Sequence, residues 1–211
     1  MVRLVILGAS GHGREVLDVL EAVNLVEPMF DFLGFLDDGE PDPERLARRG
    51  ATLIGPTSTL GSLDADYLLG VGVGHIRRSL HARLTSYGRN PSTVVHPSST
   101  LGADVRLGPG VVVMAGARIT TNVTLGRHAH VNVNATVSHD CVLGDFVTIS
   151  PGAHLSGNVN VGECATLGVG AVVRQGLTIG PGALIGAGSV VVGDVPPGVT
   201  VAGTPARPLH E

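Results

Sequence analysis

The stretch Val131-Asn132-Val133-Asn134-Ala135-Thr136-Val137-Ser138-His139-Asp140-Cys141-Val142-Leu143-Gly144-Asp145-Phe146-Val147-Thr148-Ile149 places an aliphatic residue at every sixth position: Val131, Val137, Leu143 and Ile149. Followed outward, the same register holds at Val95, Leu101, Leu107, Val113, Ile119 and Leu125, and at Leu155, Val161, Leu167, Val173, Ile179, Ile185 and Val191, without an insertion. Four residues further into many hexads stands a small residue, such as Ala117, Ala129, Ala135, Cys141, Ala153 or Ala165. Glycine repeatedly follows the aliphatic (Gly102, Gly108, Gly126, Gly144, Gly162, Gly168, Gly180, Gly186), which suggests corners whose backbone angles cost glycine least.

A period of six matches neither a helix nor a polar-turn meander, but it fits a coil of three short strands, each supplying one large inward residue. Three hexads make an 18-residue coil, so residues n and n+18 stack, and coils at the interstrand spacing of about 4.8 Å build a triangular prism roughly 25 Å tall. The spacing leaves handedness open. The run resembles the hexapeptide-repeat acyltransferases, and that resemblance implies a left-handed parallel β-helix assembled as a homotrimer.

The 211 residues include 31 Gly, are 15% charged and carry a net charge of −4, which predicts two folded units and excludes disorder. No Lys or Arg stripe suggests a nucleic-acid partner. Two cysteines, Cys141 and Cys164, suggest a reduced, cytoplasmic chain without disulfides. Met1 runs directly into Val-Arg-Leu-Val-Ile-Leu-Gly with no apolar leader, and no 18-residue apolar run exists, so neither secretion nor a membrane span is expected.

Residues 1–90 have a different rhythm. Apolar runs at Val2–Leu7, Phe32–Leu36, Leu53–Ile54 and Tyr67–Val73 alternate with helical spacing at Gly13–Val23, Glu44–Arg49 and Ile76–Tyr87. This predicts a small Rossmann-like α/β unit with a parallel sheet. Asn90-Pro91 breaks the last helix, so the second domain spans 91–211, with the boundary near 88 to 95. After the first strand, Gly8-Ala9-Ser10-Gly11-His12-Gly13 opens a helix, and glycines there let backbone N–H groups approach a phosphate. The spacing G-x-x-G-x-G is not the dinucleotide fingerprint, and a tight turn without a ligand is the competing reading. Asp37 and Asp38, ending the second strand, would share the crevice with Ser10–Gly13, and Arg77, after the Gly70–Gly74 stretch, could complete an anion site.

The Gly8–Gly13 turn, Phe35-Leu36-Asp37-Asp38, the glycines ahead of Arg77, the hexads and the closing Val201-Ala202-Gly203-Thr204-Pro205-Ala206-Arg207 together resemble the sialic acid O-acetyltransferase family, which includes bacterial N-acetyltransferases acting on nucleotide-linked amino sugars. The resemblance spans the chain. It implies acetyl-CoA as donor, a nucleotide-sugar or sialic acid acceptor held by the first domain at Gly8, Ser10, Gly11, His12, Gly13, Asp37, Asp38 and Arg77, and active sites between trimer subunits. Donor contacts would fall along the prism and tail, at Thr148, His154, Gly157, Gly168, Gly186, Ala187, Ala206 and Arg207. The last is a lone fixed cation suited to CoA phosphates.

Within the prism the polar run Arg127–Asp140 stands out. His139 lies at a corner, Gly157 sits one coil above and leaves room for a slender pantetheine, and Asp140 can hold the imidazole. Thioester aminolysis needs a base at the attacking nitrogen. The family motif of His followed by an acidic residue matches His139-Asp140, which implies His139 as base and Asp140 as its support, with Asn132 near the acceptor. Some family members carry a second His that touches the thioester where this chain has Thr148, and His130 or His154 are the available substitutes. Taken alone, His128, His130 and His154 read as surface histidines, and Asn122, Asp140 and Asn158 as a corner ladder. No metal is expected: a zinc enzyme like γ-class carbonic anhydrase would use some of the nine histidines, but no two lie 18 apart. A non-catalytic sugar-nucleotide module with a trimerisation stem is the third reading, and transfer to a sugar hydroxyl is the alternative to transfer to an amine.

Overall fold

A computed structural model describes residues 1–209. The first unit has four parallel strands, β1 (Val2–Leu7), β2 (Phe30–Leu36), β3 (Leu53–Gly55) and β4 (Asp66–Leu69), in the order β3-β2-β1-β4. Helix α1 (Gly11–Val26) buries Val16, Leu17, Val19 and Leu20 on one face, the stripe its apolar spacing dictates. Helix α2 spans Pro43–Arg48, capped by the Asp42 carboxylate, which accepts from the Glu44 and Arg45 amides. Helix α3 (Gly74–Leu84) ends in a 3₁₀ turn at Thr85–Tyr87. Residues 70 to 73, expected to extend β4, instead form a glycine loop. There Gly70 packs so closely on Gly13 that a Cβ would lie 2.7 Å from the Gly13 Cα, which leaves no room for a straight strand bearing side chains.

The second unit is the expected prism, a left-handed parallel β-helix with three faces of two-residue strands. The first face stacks Val94–Val95, Val112–Val113, His130–Val131, Thr148–Ile149, Thr166–Leu167 and Leu184–Ile185; the second includes Thr136–Val137, His154–Leu155 and Val172–Val173; the third includes Thr124–Leu125, Val142–Leu143 and Asn160–Val161. From Val94 to Val191 the pairings join n to n+18, as Thr136 with His154 and Leu125 with Leu143, and the last coil is two residues shorter, pairing Leu184 with Thr200 and Ile185 with Val201. The hexad aliphatics from Val113 to Val191 are at most 3% exposed and fill the prism, with Ala117, Ala135, Ala153 and Cys141 beside them. Val95 and Leu107 are partly covered and Leu101 is 40% exposed, because the first coil has nothing beneath it.

The corner glycines have a different cause from the one expected. Gly126, Gly144 and Gly168 do not have positive φ; a Cβ on any of them would run into the next coil's backbone, so they are required by close stacking. The left-handed corner residues lie two positions later, and among them His128, Phe146 and Cys164 (φ 51°, 60° and 57°) are bulky where other corners use Asn, Asp or Gly. These three form the edge onto which α3 docks. A Cβ on Gly74 would collide with the Phe146 carbonyl, and Arg78 Nη1 is 3.4 Å from Glu163 Oε1. The first unit also covers the lower part of the first face, where Val94, Val112 and Met114 join the core under α1.

Candidate active site

His139 and Asp140 lie on the edge between the second and third faces. His139 Nδ1 is 2.7 Å from Asp140 Oδ2, and both side chains are about half exposed. The left-handed conformation at Asp140 (φ 61°), which Asp tolerates better than most residues, turns its carboxylate back onto the preceding ring. With its proton held on Nδ1 by Asp140, the imidazole keeps its lone pair on Nε2, so that nitrogen can accept a proton. Gly157 is not the open space expected above the ring. A Cβ there would collide with the imidazole itself, so the ring fills that space and packs against the glycine. His154 stands on the second face with Nδ1 2.9 Å from Thr136 Oγ1, and is exposed as expected. Across that face, Gly168, Gly186 and Ala187 line the opposite edge, Gly168 beneath the next coil's backbone and Gly186 against the Ala202 side chain. At the C-terminal end, Ala206 and the exposed Arg207 border a cavity with Val191–Pro196 and Val201.

The first unit brings the Gly8–Gly13 turn and the end of β2 together. Gly8 has φ 104°, and a Cβ on Gly13 would collide with the Gly8 carbonyl, so both positions require glycine. Ser10 is the N-cap of α1 but its hydroxyl makes no capping bond, and no acidic residue occupies the first turn. The helix N-terminus therefore keeps its unpartnered amide donors and partial positive charge for an anion. Asp37 Oδ2 accepts from the Ala9 amide at 2.7 Å, which ties β2 to the turn. Asp38 accepts from the Thr57 amide and hydroxyl and from Arg83 Nη2 at 2.9 Å; the Arg83 bond, then those from Thr57, hold its carboxyl below the usual range.

Four expectations are corrected here. Arg77 completes no anion site: it is fully buried and its N–H groups donate to the carbonyls of Val71, Gly72, His128, Phe146 and Val147 and to Thr148 Oγ1. Thr148, 6% exposed, donates to the Gly72 carbonyl at 2.8 Å and does not offer its hydroxyl to a donor thioester. Asn132 is 4% exposed and spends its amide on the Ile149 carbonyl one coil above. His128 and His130, read as surface residues, have no exposed area and sit in the interface between the two units.

There His130 Nδ1 lies 2.9 Å from His12 Nε2, and Glu15 Oε2, 3.4 Å from His12 Nδ1, favours the His12 proton on Nδ1, so His130 is the donor between them. His128 Nε2 is 3.1 Å from His81 Nδ1, which is also 3.1 Å from the Tyr67 hydroxyl. The His128 ring stacks on Phe146. Burial, and then the Arg77 charge, lowers the His12 pKa to about 4. Burial, with His81, Arg77 and Arg127 behind it, lowers that of His128 to about 3, and the same first cause pushes His130 well below its ordinary value. Sequence reasoning missed this cluster; the signal available was the bulky His128 at a corner where the other edges place Asn, Asp or Gly.

Among the described residues, no group of three or more His, Cys, Asp or Glu could hold a metal ion, and no helix is long and apolar enough to cross a membrane.

Residues 3–84 match the family model described as the PglD N-terminal domain. Over 99% of this chain and 100% of the other, the fold superposes on the acetyltransferase domain of PglB from Neisseria gonorrhoeae with a TM-score of 0.89 and 39% identity, and the same domain has been seen in complex with acetyl coenzyme A. PerB from Caulobacter crescentus, in complex with CoA and GDP-perosamine, matches with a TM-score of 0.88 and 35% identity over 98% of this chain and 97% of that one. The GDP-perosamine N-acetyltransferase of Escherichia coli O157:H7 is 36% identical over 131 residues, 59% of this chain but only 57% of that protein's length.

Proposed function

The chain belongs to the nucleotide-aminosugar N-acetyltransferase family, the group of the perosamine N-acetyltransferases and the PglB acetyltransferase domain, and on that premise we propose that it transfers the acetyl group of acetyl-CoA to the amine of a nucleotide-linked amino-deoxysugar. The acceptor's diphosphate sits at the uncapped N-terminus of α1, between the Gly8–Gly13 turn and Asp37, and the donor lies along the prism toward Arg207. The neutral amine attacks the thioester carbonyl, and His139 Nε2 takes the proton that the nitrogen loses. The tetrahedral intermediate collapses with cleavage of the C–S bond, and the imidazolium returns its proton to the CoA sulfur. Asp140 stabilises the imidazolium between these steps. The observation that carries the reading is the half-exposed His139–Asp140 pair, packed against Gly157 with Nδ1 engaged by the carboxylate. Incubation with acetyl-CoA and a panel of GDP-, UDP- and dTDP-linked amino sugars should release one free thiol per acetamide formed with one class of acceptor. Thiol release that is independent of every amino sugar would refute the assignment.

The working unit is a homotrimer in this reading. The first unit rests on the first face and on its edge with the third, whereas His139 lies on the edge between the second and third faces. An acceptor held at α1 therefore meets the base of a neighbouring prism. Multi-angle light scattering should give about three times the chain mass of 21.5 kDa at micromolar concentration; a monomer that turns over at full rate would end this part of the proposal.

A further inference from the structure

Arg77 is a buried cation with no anion beside it. It is 0% exposed, forms no ion pair among the described residues, and burial lowers its pKa to about 9. Such a charge is poor cement, since apolar groups of similar volume often join two surfaces equally well or better. What apolar groups cannot do is fix the positions of individual carbonyls. Arg77 Nε holds the His128 carbonyl at 3.0 Å, Nη2 holds those of Phe146 and Val147 and the Thr148 hydroxyl at 2.9 to 3.0 Å, and Nη1 holds Val71 and Gly72 at 2.9 and 2.8 Å. Thr148 Oγ1, which accepts from Arg77, donates in turn to the same Gly72 carbonyl at 2.8 Å.

The loop so gripped is one wall of the acceptor crevice. A Cβ on Gly8 would lie 2.8 Å from the Gly70 carbonyl and 2.9 Å from Val71 Cγ2, and one on Gly72 would lie 3.7 Å from the His12 ring. Gly70 and Val71 press directly on the turn, whereas a methyl would still fit between Gly72 and His12, so a shift of the loop is passed to Gly8 and Gly13 through Gly70 and Val71. We propose that Arg77 and Thr148 are positioning residues for the acceptor, setting the Gly70–Gly72 loop, and through it the phosphate-binding turn, from the adjacent coils of the prism. This rests on the function proposed above. It gives Thr148 a task in acceptor binding, although its position in the hexads points to the donor.

The test compares Thr148→Val, which keeps shape and removes the hydroxyl, with Thr148→Ser, which restores it, using the nucleotide-linked amino sugar that the wild-type protein acetylates fastest. Of the hydroxyl's two hydrogen bonds only the one to Gly72 holds the loop directly, and a net hydrogen bond is worth about 1 kcal/mol, so Thr148→Val should raise the acceptor KM about five-fold. The KM for acetyl-CoA and kcat should stay within about two-fold, and Thr148→Ser should return the acceptor KM toward wild type. Arg77→Met should have a larger effect in the same direction wherever it folds. An unchanged acceptor KM in Thr148→Val, or an equal rise in both KM values, overturns the inference alone, because a merely structural contact would move both or neither. A wild-type protein that acetylates no nucleotide sugar overturns the function and this inference together.

Discussion

Replacing His139 by alanine should lower kcat by about 10²- to 10⁴-fold, the contribution typical of a positioned general base, while leaving assembly and thermal stability close to those of the parent. The stability expectation follows from the side chain's half exposure and from its single side-chain bond, to Asp140. Rates should be measured from pH 6 to pH 9, because an acceptor amine that is already deprotonated at high pH needs the base less, and the deficit should therefore narrow as pH rises. His154→Ala should have a much smaller effect. Gly157→Ala supplies an independent check: its methyl would occupy the space of the imidazole, and a displacement of about 1 Å can cost on the order of 10²-fold in rate. If His139→Ala retains near-wild-type kcat at neutral pH, the base is elsewhere. His130 cannot then take over, since it is fully buried and held by His12.

The prism was legible because its information is one-dimensional. A six-residue period determines inward faces, coil length and the n to n+18 partners without reference to anything far away, and the aliphatics from Val113 to Val191 all point where the period puts them. The place of His139 was legible by the same counting, which fixes its corner, its acidic neighbour and the glycine one coil above; its proposed role came from the family motif and not from the period. What counting could not supply was occupancy. It found Gly157 opposite His139 but could not tell an empty slot from one filled by the imidazole.

The contact between the two units was illegible because it depends on which prism face the first unit covers, and no period encodes that. His128, His130 and Thr148 look like polar outward positions and would be solvated on a bare prism; docking of the first unit buries them. Arg77 misled for a related reason. A cation after a glycine loop at a helix start has the sequence signature of an anion site, but here the loop's own carbonyls and those of the prism consume its donors. The bulky left-handed corners at His128, Phe146 and Cys164 were the one local sign that this edge differs from the others.

The same interface should make the protein sensitive to mild acid. His12, His128 and His130 are held neutral in the folded protein, with pKa values of about 4 and about 3 for the first two and well below the ordinary 6.5 for the third. An unfolded or undocked chain returns them to about 6.5, so that state binds more protons between these limits. The stability they contribute is therefore complete above about pH 6.5 and falls as the pH drops toward the folded-state values. His12 and His128 each cost about 1.4 kcal/mol per pH unit in that window, or roughly 2 kcal/mol at pH 5 and about 4 kcal/mol together, and His130 adds in the same direction. For a chain of this length the melting temperature should fall by more than about 10 °C between pH 7 and pH 5. Carboxylates that are stabilised in the folded state, Asp38 among them, lose their contribution only below about pH 4, so they cannot produce this slope. Differential scanning calorimetry across pH 4.5 to 7.5 checks it, and His130→Asn should flatten the dependence by about one proton's worth while lowering stability at pH 7. A melting temperature independent of pH between 5 and 7 would mean that these imidazoles reach solvent, and that the first unit does not sit on the prism in the manner that also aligns its glycine turn.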